Sequence, residues 1–223
     1  MSKAVSPTHH LPGPGPFLTY PNLITLIRGV AAACLAVTAL VVDDPVPWLI
    51  AGYLTYWLGD SLDGLVARLL GQETRAGAVF DICTDRLSTA ILAAGLVVQQ
   101  PDLAVPIGLF LLNFMVIDQL LSLSFLLWPI VSPNYFAEVD PTVFRYNWSH
   151  PAKALNNAGI IVAVLIGSLP VALAIVTIQL AVKITSAVRV ARLASRRASA
   201  TPRAYGGART DVLPDPGYPP DRA

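Results

Sequence analysis

The chain has 223 residues, of which 54% are hydrophobic and only 13% are charged, and its formal net charge is +1. Soluble domains carry about a quarter charged residues, so this composition indicates an integral membrane protein. A near-neutral charge gives no reason to expect nucleic acid as a partner. The two cysteines both fall in apolar segments, which favours neither a disulfide framework nor a cysteine-based metal site.

Two polar ends flank an apolar middle. Residues 1–20 hold too much proline and glycine for a helix and lack the apolar stretch of a signal peptide, so a flexible N-terminal segment is expected. Residues 196–223 are rich in Arg, Pro and Gly, which is typical of a disordered basic tail. Residues 21–195 form the single membrane domain predicted between them.

The predicted fold of that domain is all-α, an integral membrane bundle of six transmembrane helices. Each apolar run is long enough to cross the hydrocarbon core of a bilayer. Short segments with Pro, Gly or charged residues separate the runs. The predicted spans are Leu23–Val42, Trp48–Leu70, Ala76–Val98, Leu103–Trp128, Ala152–Ser168 and Pro170–Ala194.

Basic residues are distributed unevenly among the connections. The connections after the first, third and fifth predicted spans contain no Lys or Arg, whereas the other side of the bundle is basic. The positive-inside rule therefore predicts a multi-pass protein with both termini in the cytoplasm. Arg28 lies near the start of the first span, where it could reach the interface or face the bundle interior. The basic residues assigned to the cytoplasmic side are Lys3, Arg68, Arg75, Arg145, Lys153, Arg189, Arg192, Arg196 and Arg197.

Four acids in the second and third predicted helices are the main functional signal. Asp60 and Asp63 share one face of the second helix, and Asp81 and Asp85 share one face of the third. A carboxylate at membrane depth costs several kcal/mol, so such acids are expected to serve a function. Four of them cannot all stay ionised unless positive charge neutralises them. Two divalent cations would supply that charge, and oxygen ligands suit Mg²⁺ or Mn²⁺.

Two other interpretations remain open at this point. In the first, the acids pair with Arg68, Arg75 and Arg86 in a salt-bridged helix hairpin that has only a structural role. In the second, intramembrane acids form a divalent-cation pathway or a proton-coupled transporter. Asp118, in the fourth predicted span, is the acid available to extend such a path.

The spacing of the acids also resembles a family signature. The pattern D-x2-D-G-x2-A-R-x8-G-x3-D-x3-D is that of the CDP-alcohol phosphatidyltransferases. The resemblance implies a six-helix membrane enzyme that moves a phosphatidyl group from CDP-diacylglycerol to an alcohol and releases CMP. All eight specified positions are filled here, by Asp60, Asp63, Gly64, Ala67, Arg68, Gly77, Asp81 and Asp85.

The same resemblance implies roles for these residues. The metal ligands would be Asp60, Asp63, Asp81 and Asp85. The last of them, Asp85, would also be the catalytic base. The residues implied to bind CDP-diacylglycerol are Asp60, Gly64, Ala67, Arg68 and Gly77. The small residues among them have an alternative role in close helix packing, and the arginine an alternative role in reaching the interface.

Within the family, the sequence around these motifs is most similar to that of the phosphatidylinositol synthase branch. Thr84 to Thr89 reads T-D-R-L-S-T, and the stretch Phe144–Ala152 resembles a segment of that branch that contains R-x-Y-Y and S-R-P-A. His150 stands where the branch tends to have Arg. The likeness runs from about Pro21 to Ala158 and favours myo-inositol or inositol phosphate as the acceptor.

A second acceptor stays open. The opening Pro21–Arg28, P-N-L-I-T-L-I-R, is shared with phosphatidylglycerophosphate synthases, which would use glycerol 3-phosphate. Arg145, His150 and Lys153 are the candidate acceptor-binding residues, because their donors suit an anionic acceptor. The positive-inside rule alone would also place basic residues in this connection. The family resemblance further implies a homodimer.

Overall fold

The structure is a computed structural model that describes residues 11, 13–156, 159 and 167–200. The described residues form helices and connections and contain no β-strand, which confirms the all-α prediction for this part of the chain. Most of the predicted fifth span and most of the two predicted flexible ends lie outside the described residues, and so do the predictions made for them.

The first three helices carry the acidic motif. Helix α1 spans Tyr20–Thr38, α2 spans Val46–Leu69 and α3 spans Arg75–Gln99. Thr19 caps α1 and Thr74 caps α3, because each threonine side chain accepts a hydrogen bond from a backbone N–H in the first helical turn.

A tight turn joins α2 to α3. Gly71 has a φ of 61°, a left-handed conformation that glycine adopts at no steric cost. The turn brings α3 back beside α2, so the acid-bearing end of α2 lies next to the acid-bearing start of α3. The turn thus positions the two halves of the motif for convergence.

The predicted fourth span is a helix broken into short pieces over Pro101–Leu127. It contains helix α4, Ala104–Leu112, a π-helical turn, Asn113–Asp118, and helix α5, Gln119–Leu123, with 3₁₀ turns at either end. A π-turn widens the backbone ladder and occurs frequently at functional sites. Its polar ends, Asn113 and Asp118, are both buried.

The remaining described elements follow the broken helix in the chain. A 3₁₀ helix, Pro133–Glu138, and the short helix α6, Pro141–Asn147, precede helical residues 150–156. The last helix, α7, spans Leu169–Ala200 and continues beyond the predicted end of the sixth span. Phe125, Phe136, Trp128 and Trp148 form the core of this region and join it to α7.

Three helical segments are long and apolar enough to cross a membrane by length and composition: Tyr20–Thr38, Pro101–Leu127 and Leu169–Ser199. Helices α2 and α3 have 24 and 25 residues, which is also sufficient length, but their aspartates and arginines reduce their apolar character. The three apolar helices indicate an integral membrane protein. The count of six spans stays a prediction.

Small residues allow α1, α2 and α3 to pack closely. Ala32 and Ala36 of α1 are fully buried in a cluster with Leu49 of α2 and Leu92 of α3. Gly59 of α2 lies directly against a side chain of α1, where an added Cβ would be within 2.5 Å of the Arg28 Cδ atom. Such small residues are typical of helix contacts in membranes, and here they bring α1 against the acidic motif.

Candidate active site

The four aspartates of the motif converge where α2 and α3 meet. One carboxylate oxygen from each of Asp60, Asp63 and Asp81 lies within 4.8 Å of the others. Asp85 joins this group through a shared partner, Arg28 of α1. Asp63 is buried and the other three are half-buried, so the cluster is partly accessible. The convergence predicted from helical spacing is therefore observed.

Arg28 lies at the centre of the cluster. Its Nε donates to Asp63 Oδ2 at 2.8 Å, and its Nη2 donates to Asp85 Oδ1 at 3.0 Å and to Asp81 Oδ1. Nη2 also lies 3.6 Å from Asp60 Oδ1. The side chain is only 3% exposed, so these ion pairs form away from bulk water. Of the two predicted positions for Arg28, the structure shows the one that faces the bundle interior.

The described residues do not form the predicted hairpin in which the motif aspartates pair with Arg68, Arg75 and Arg86. Arg75 donates to the backbone oxygens of Trp128 and Leu126 at 3.0 and 2.8 Å, and Arg86 pairs with Asp118. None of Arg68, Arg75 and Arg86 makes an ion pair with the four motif aspartates in the described part of the chain. The neutralising arginine instead comes from α1.

One guanidinium cannot balance four carboxylates. When all four are ionised, the cluster with Arg28 keeps a formal surplus of negative charge, and that surplus is unfavourable in a half-buried site. The donor set consists only of carboxylate oxygens, which suits hard divalent cations such as Mg²⁺ and Mn²⁺. The residues present therefore fit a divalent metal site.

Two cavities meet at the cluster. The first has a volume of about 150 Å³ and is bordered by Asp60, Asp81 and Asp85. The second has a volume of about 80 Å³ and is bordered by Asp63 and Asp81. Asp81 thus lies between the two spaces. An arrangement in which two cavities share one carboxylate allows two substrates to approach the same point from different sides.

The second cavity brings together the remaining motif residues that the family resemblance assigned to the nucleotide lipid. Arg68 is exposed, and an added Cβ at Gly64 would lie 3.4 Å from its Nη1. Gly77 is tighter, because an added Cβ would lie 2.7 Å from Asn22 Oδ1. Close packing therefore accounts for Gly77 at least in part. The motif residues that border this cavity are Asp63, Gly64, Ala67, Arg68, Gly77 and Asp81.

The candidate acceptor residues do not all lie together. Lys153 borders the first cavity, and its Nζ donates to Asn134 Oδ1 at 2.7 Å. Arg145 and His150 are exposed and do not border that cavity in the described part of the chain. An acceptor-binding role for these residues stays a prediction.

Sequence reasoning missed a second polar group that also borders the first cavity. Asp118, noted only as an acid in the fourth span, pairs with Arg86 and with Lys183 of α7. Lys183 is 4% exposed in the middle of an apolar helix. A lone lysine in an apolar span is itself a signal of function, and it was the signal available in the sequence.

Comparison with known proteins places the chain in a family context. A family model described as CDP-alcohol phosphatidyltransferase matches residues 18–185. Three relatives carry the name CDP-diacylglycerol–inositol 3-phosphatidyltransferase. The chain is 40% identical to the Saccharomyces cerevisiae protein over 82 residues, 39% to the Candida albicans protein over 93 residues and 37% to the Homo sapiens protein over 92 residues.

These matches are partial. They cover 37%, 40% and 41% of this chain and 36%, 37% and 41% of the respective relatives. No solved structure matches the chain. The family model covers well over half of the chain, and it includes the whole of the acidic motif and the elements on both sides of the cluster. The resemblance read from the motif is confirmed, and the chain belongs to the CDP-alcohol phosphatidyltransferase family.

Proposed function

We propose that this protein transfers a phosphatidyl group from CDP-diacylglycerol to a hydroxyl of an inositol-type acceptor and releases CMP. The observation that carries the proposal is the convergence of four aspartates from α2 and α3 at the meeting point of two cavities. The names of the three relatives support inositol as the acceptor class. The transporter alternative is dropped because the family consists of transferases.

The second cavity suits the donor. CDP-diacylglycerol is amphiphilic, so its acyl chains stay in the bilayer while its diphosphate and cytidine lie at the interface. Gly64 and Ala67 leave room beside the cluster, and the Arg68 guanidinium is exposed next to them. Arg68 is therefore the candidate partner for the donor diphosphate, because a guanidinium forms strong charge-assisted hydrogen bonds with phosphate oxygens. Gly77 would contribute mainly by its lack of a side chain.

Asp60, Asp63, Asp81 and Asp85 would hold the divalent ions, for which we propose two ions, either Mg²⁺ or Mn²⁺ by ligand type. When bound by these carboxylates, divalent metal would supply Lewis-acid stabilisation of the phosphoryl group and of the charge on departing CMP.

Proton transfer is assigned to Asp85. This carboxylate borders the first cavity and lies one helical turn beyond Asp81. The acceptor oxygen forms a bond to the lipid-side phosphorus while the bond from that phosphorus to the CMP oxygen breaks. The hydroxyl proton passes to Asp85, which must be unprotonated beforehand to act as the base. Arg28 favours that state because its Nη2 donates to Asp85 Oδ1.

The orientation proposed from the sequence suits this chemistry. A basic cytoplasmic side would carry both termini and the aspartate cluster, and the substrates would enter from that side. Lys153 at the first cavity, together with Arg145 and His150 nearby in the chain, would attract an anionic acceptor. A homodimer belongs to the same proposal and rests on the family resemblance.

An acceptor screen tests the proposal. Purified full-length protein in lipid nanodiscs is given CDP-diacylglycerol with a radiolabelled phosphatidyl group and a divalent metal ion, and then one acceptor at a time. We expect the label to move into phospholipid with myo-inositol or myo-inositol phosphate and to move much more slowly with glycerol 3-phosphate or serine. A clear preference for glycerol 3-phosphate would replace the inositol assignment by the glycerophosphate alternative.

A further inference from the structure

A buried charged network borders the first cavity. Asp118 accepts a hydrogen bond from Arg86 Nη2 at 2.6 Å, and its other oxygen lies 2.5 Å from Lys183 Nζ. All three residues are buried, with 9%, 7% and 4% of the surface of Arg86, Asp118 and Lys183 exposed. The Arg86 guanidinium is also held over the Phe114 ring, 3.7 Å from its centroid, and donates through Nε to Gln119. These contacts fix the network in one geometry.

The network is not electrically neutral by itself. Two cations face one carboxylate, so one positive charge remains beside the cavity. An ammonium group has three donors, and Asp118 accounts for one of those of Lys183. Among the described residues, Asp118 is the partner of the Lys183 ammonium group, so its remaining donors are available to a bound molecule.

Two buried amide oxygens indicate that the bound molecule carries hydrogen-bond donors. Asn113 Oδ1 and Asn147 Oδ1 have no hydrogen-bond partner among the described residues, and their side chains belong to residues only 4% and 2% exposed. The orientation of Asn147 is fixed, because its Nδ2 donates to the Val143 backbone oxygen and to Ser186 Oγ, both at 2.8 Å. A buried acceptor without a donor is costly, and both residues border the first cavity.

The cavity has room for more than isolated waters. A volume of about 150 Å³ corresponds to about ten water-sized positions. The space is continuous from the aspartate cluster to the Asp118 network, since residues of both groups border it. A ligand there meets amide acceptors and ammonium donors on one side and the reacting aspartates on the other.

We propose that this polar chamber, formed by Arg86, Asn113, Asp118, Asn147 and Lys183, binds the ring hydroxyls of the polyol acceptor inside the bundle. The proposal rests on the function proposed above and assigns the residues that select its acceptor. A hydroxyl both donates and accepts, so it satisfies the free amide oxygens and the free donors of Lys183 together. A phosphate oxygen has no proton to give to Asn147 Oδ1, whose orientation is fixed, so a ring hydroxyl suits this part of the chamber better than a phosphate does.

The test is a double-mutant cycle between protein and ligand. Wild-type protein and Asn113→Leu are assayed with myo-inositol and with the monodeoxy-inositols that keep the reacting hydroxyl, and both series are repeated with the 1-phosphates. Asn113 is suitable because no hydrogen bond within the described residues is lost with it. The matched control is Ser88→Ala, which removes another buried, unpartnered polar atom that does not border the cavity.

In wild-type protein, removal of the contacted hydroxyl should raise the acceptor KM about two- to ten-fold, as expected for one neutral hydrogen bond. Asn113→Leu should raise the KM for the parent acceptor by a similar factor. In this variant, removal of the contacted hydroxyl should cause no further rise in the acceptor KM. The KM for CDP-diacylglycerol and the acceptor KM of Ser88→Ala should stay within two-fold of wild type. Equal behaviour of the free and phosphorylated series supports hydroxyl recognition in both.

The proposal is overturned if every deoxy analogue has the same KM as its parent acceptor in wild-type protein. This result would indicate a chamber filled by water alone, and it does not depend on any variant. It is also overturned if Asn113→Leu weakens all analogues by the same factor. Should Asn113→Leu fail to fold, Asn113→Ser completes the cycle. Absence of turnover with both parent acceptors would instead reject the function proposed above, so the two failures are distinguishable.

Discussion

At the scale of single residues, Arg28 accounts for the stability of the acidic cluster without metal. It comes from a helix outside the motif and pairs with all four aspartates. Thr25, one turn earlier, adds a hydrogen bond of 2.7 Å to Asp63 Oδ2. Removal of one partner of a buried ion pair leaves uncompensated charge, which costs about 3–5 kcal/mol. Arg28 and bound cations should therefore share the work of neutralisation.

Arg28→Met should accordingly lower the thermal stability of the purified protein strongly in EDTA. Added Mg²⁺ should recover more stability in this variant than in wild type, because the vacated cluster binds cations with less repulsion and binding stabilises the folded state. Arg68→Met, at an exposed arginine of the same motif, is the control and should change little. Equal metal-free stability of Arg28→Met and wild type would contradict this account of the cluster.

The division of labour among the aspartates gives a second prediction at this scale. Asp85→Asn should reduce kcat by about a hundred- to ten-thousand-fold and largely preserve the KM for CDP-diacylglycerol, because a base is lost rather than the donor site. Asp63→Asn should instead weaken metal activation and donor binding together, because Asp63 is a candidate metal ligand and borders the second cavity. Steady-state kinetics over a range of Mg²⁺ concentrations separate the two. Near-normal turnover by Asp85→Asn would remove this residue from the mechanism.

At the scale of helices, Asp140 connects α6 to α7. Its Oδ1 accepts hydrogen bonds from the backbone N–H groups of Thr142 and Val143 at the start of α6, and its Oδ2 accepts one from Arg189 Nε of α7 at 2.6 Å. Burial alone would raise the pKa of Asp140, but the hydrogen bonds from Arg189, Val143 and Thr142 lower it below its ordinary value. The carboxylate form is thus favoured in the folded protein.

A lowered pKa fixes the direction of the pH effect. The stabilisation is fully present above the pKa of an unfolded aspartate, about 3.9, and is lost as the pH falls through the lower folded value. Asp140→Asn keeps a helix-capping side chain but removes the charge. We expect this variant to be less stable than wild type at pH 7 and the difference to shrink below about pH 4. A difference in unfolding temperature that stays constant between pH 7 and pH 3 would contradict the assignment.

The helices also show which parts of the site can be predicted from sequence. Asp60, Asp63, Asp81 and Asp85 were predictable because helical periodicity places them on facing surfaces and the intervening turn is short. The central position of Arg28 was not, because it depends on how closely α1 packs, and that contact is made at Gly59 in a different helix. Local patterns specify faces of helices, whereas partners across helices depend on packing.

The same limit applies to the polar chamber. Asn113 lies in a π-turn, and the apolar sequence around it contains no pattern that predicts such a turn. Lys183 lies in α7, more than sixty residues after Asp118 in the chain. Arg145 and His150 were selected as candidate acceptor residues from the charge of their connection and its resemblance to the phosphatidylinositol synthase branch, and both side chains are exposed. Charge on a cytoplasmic loop serves orientation as well as binding, so the pattern cannot separate the two uses.

At the scale of the whole molecule, orientation in the membrane is the open prediction. Asp44 and Asp102 lie in connections that lack Lys and Arg, and both are exposed. Cys34 and Cys83 are also exposed, so they must be replaced before labelling. In that background, Asp44→Cys and Asp102→Cys should react with an impermeant thiol reagent from outside the cell, and Arg145→Cys should react only after permeabilisation. Reaction of the first two from the cytoplasm alone would reverse the orientation.

The proposed reaction requires that the two cavities meet at one aspartate cluster that can bind divalent metal. Its most direct measurement is the stoichiometry of the reaction in purified protein supplied with CDP-diacylglycerol and myo-inositol or its phosphate. We predict that CMP and the new inositol-containing phospholipid appear one for one, that EDTA abolishes both and that Mg²⁺ or Mn²⁺ restores both. Full turnover in metal-free buffer, or release of CMP without formation of the phospholipid, would contradict the account.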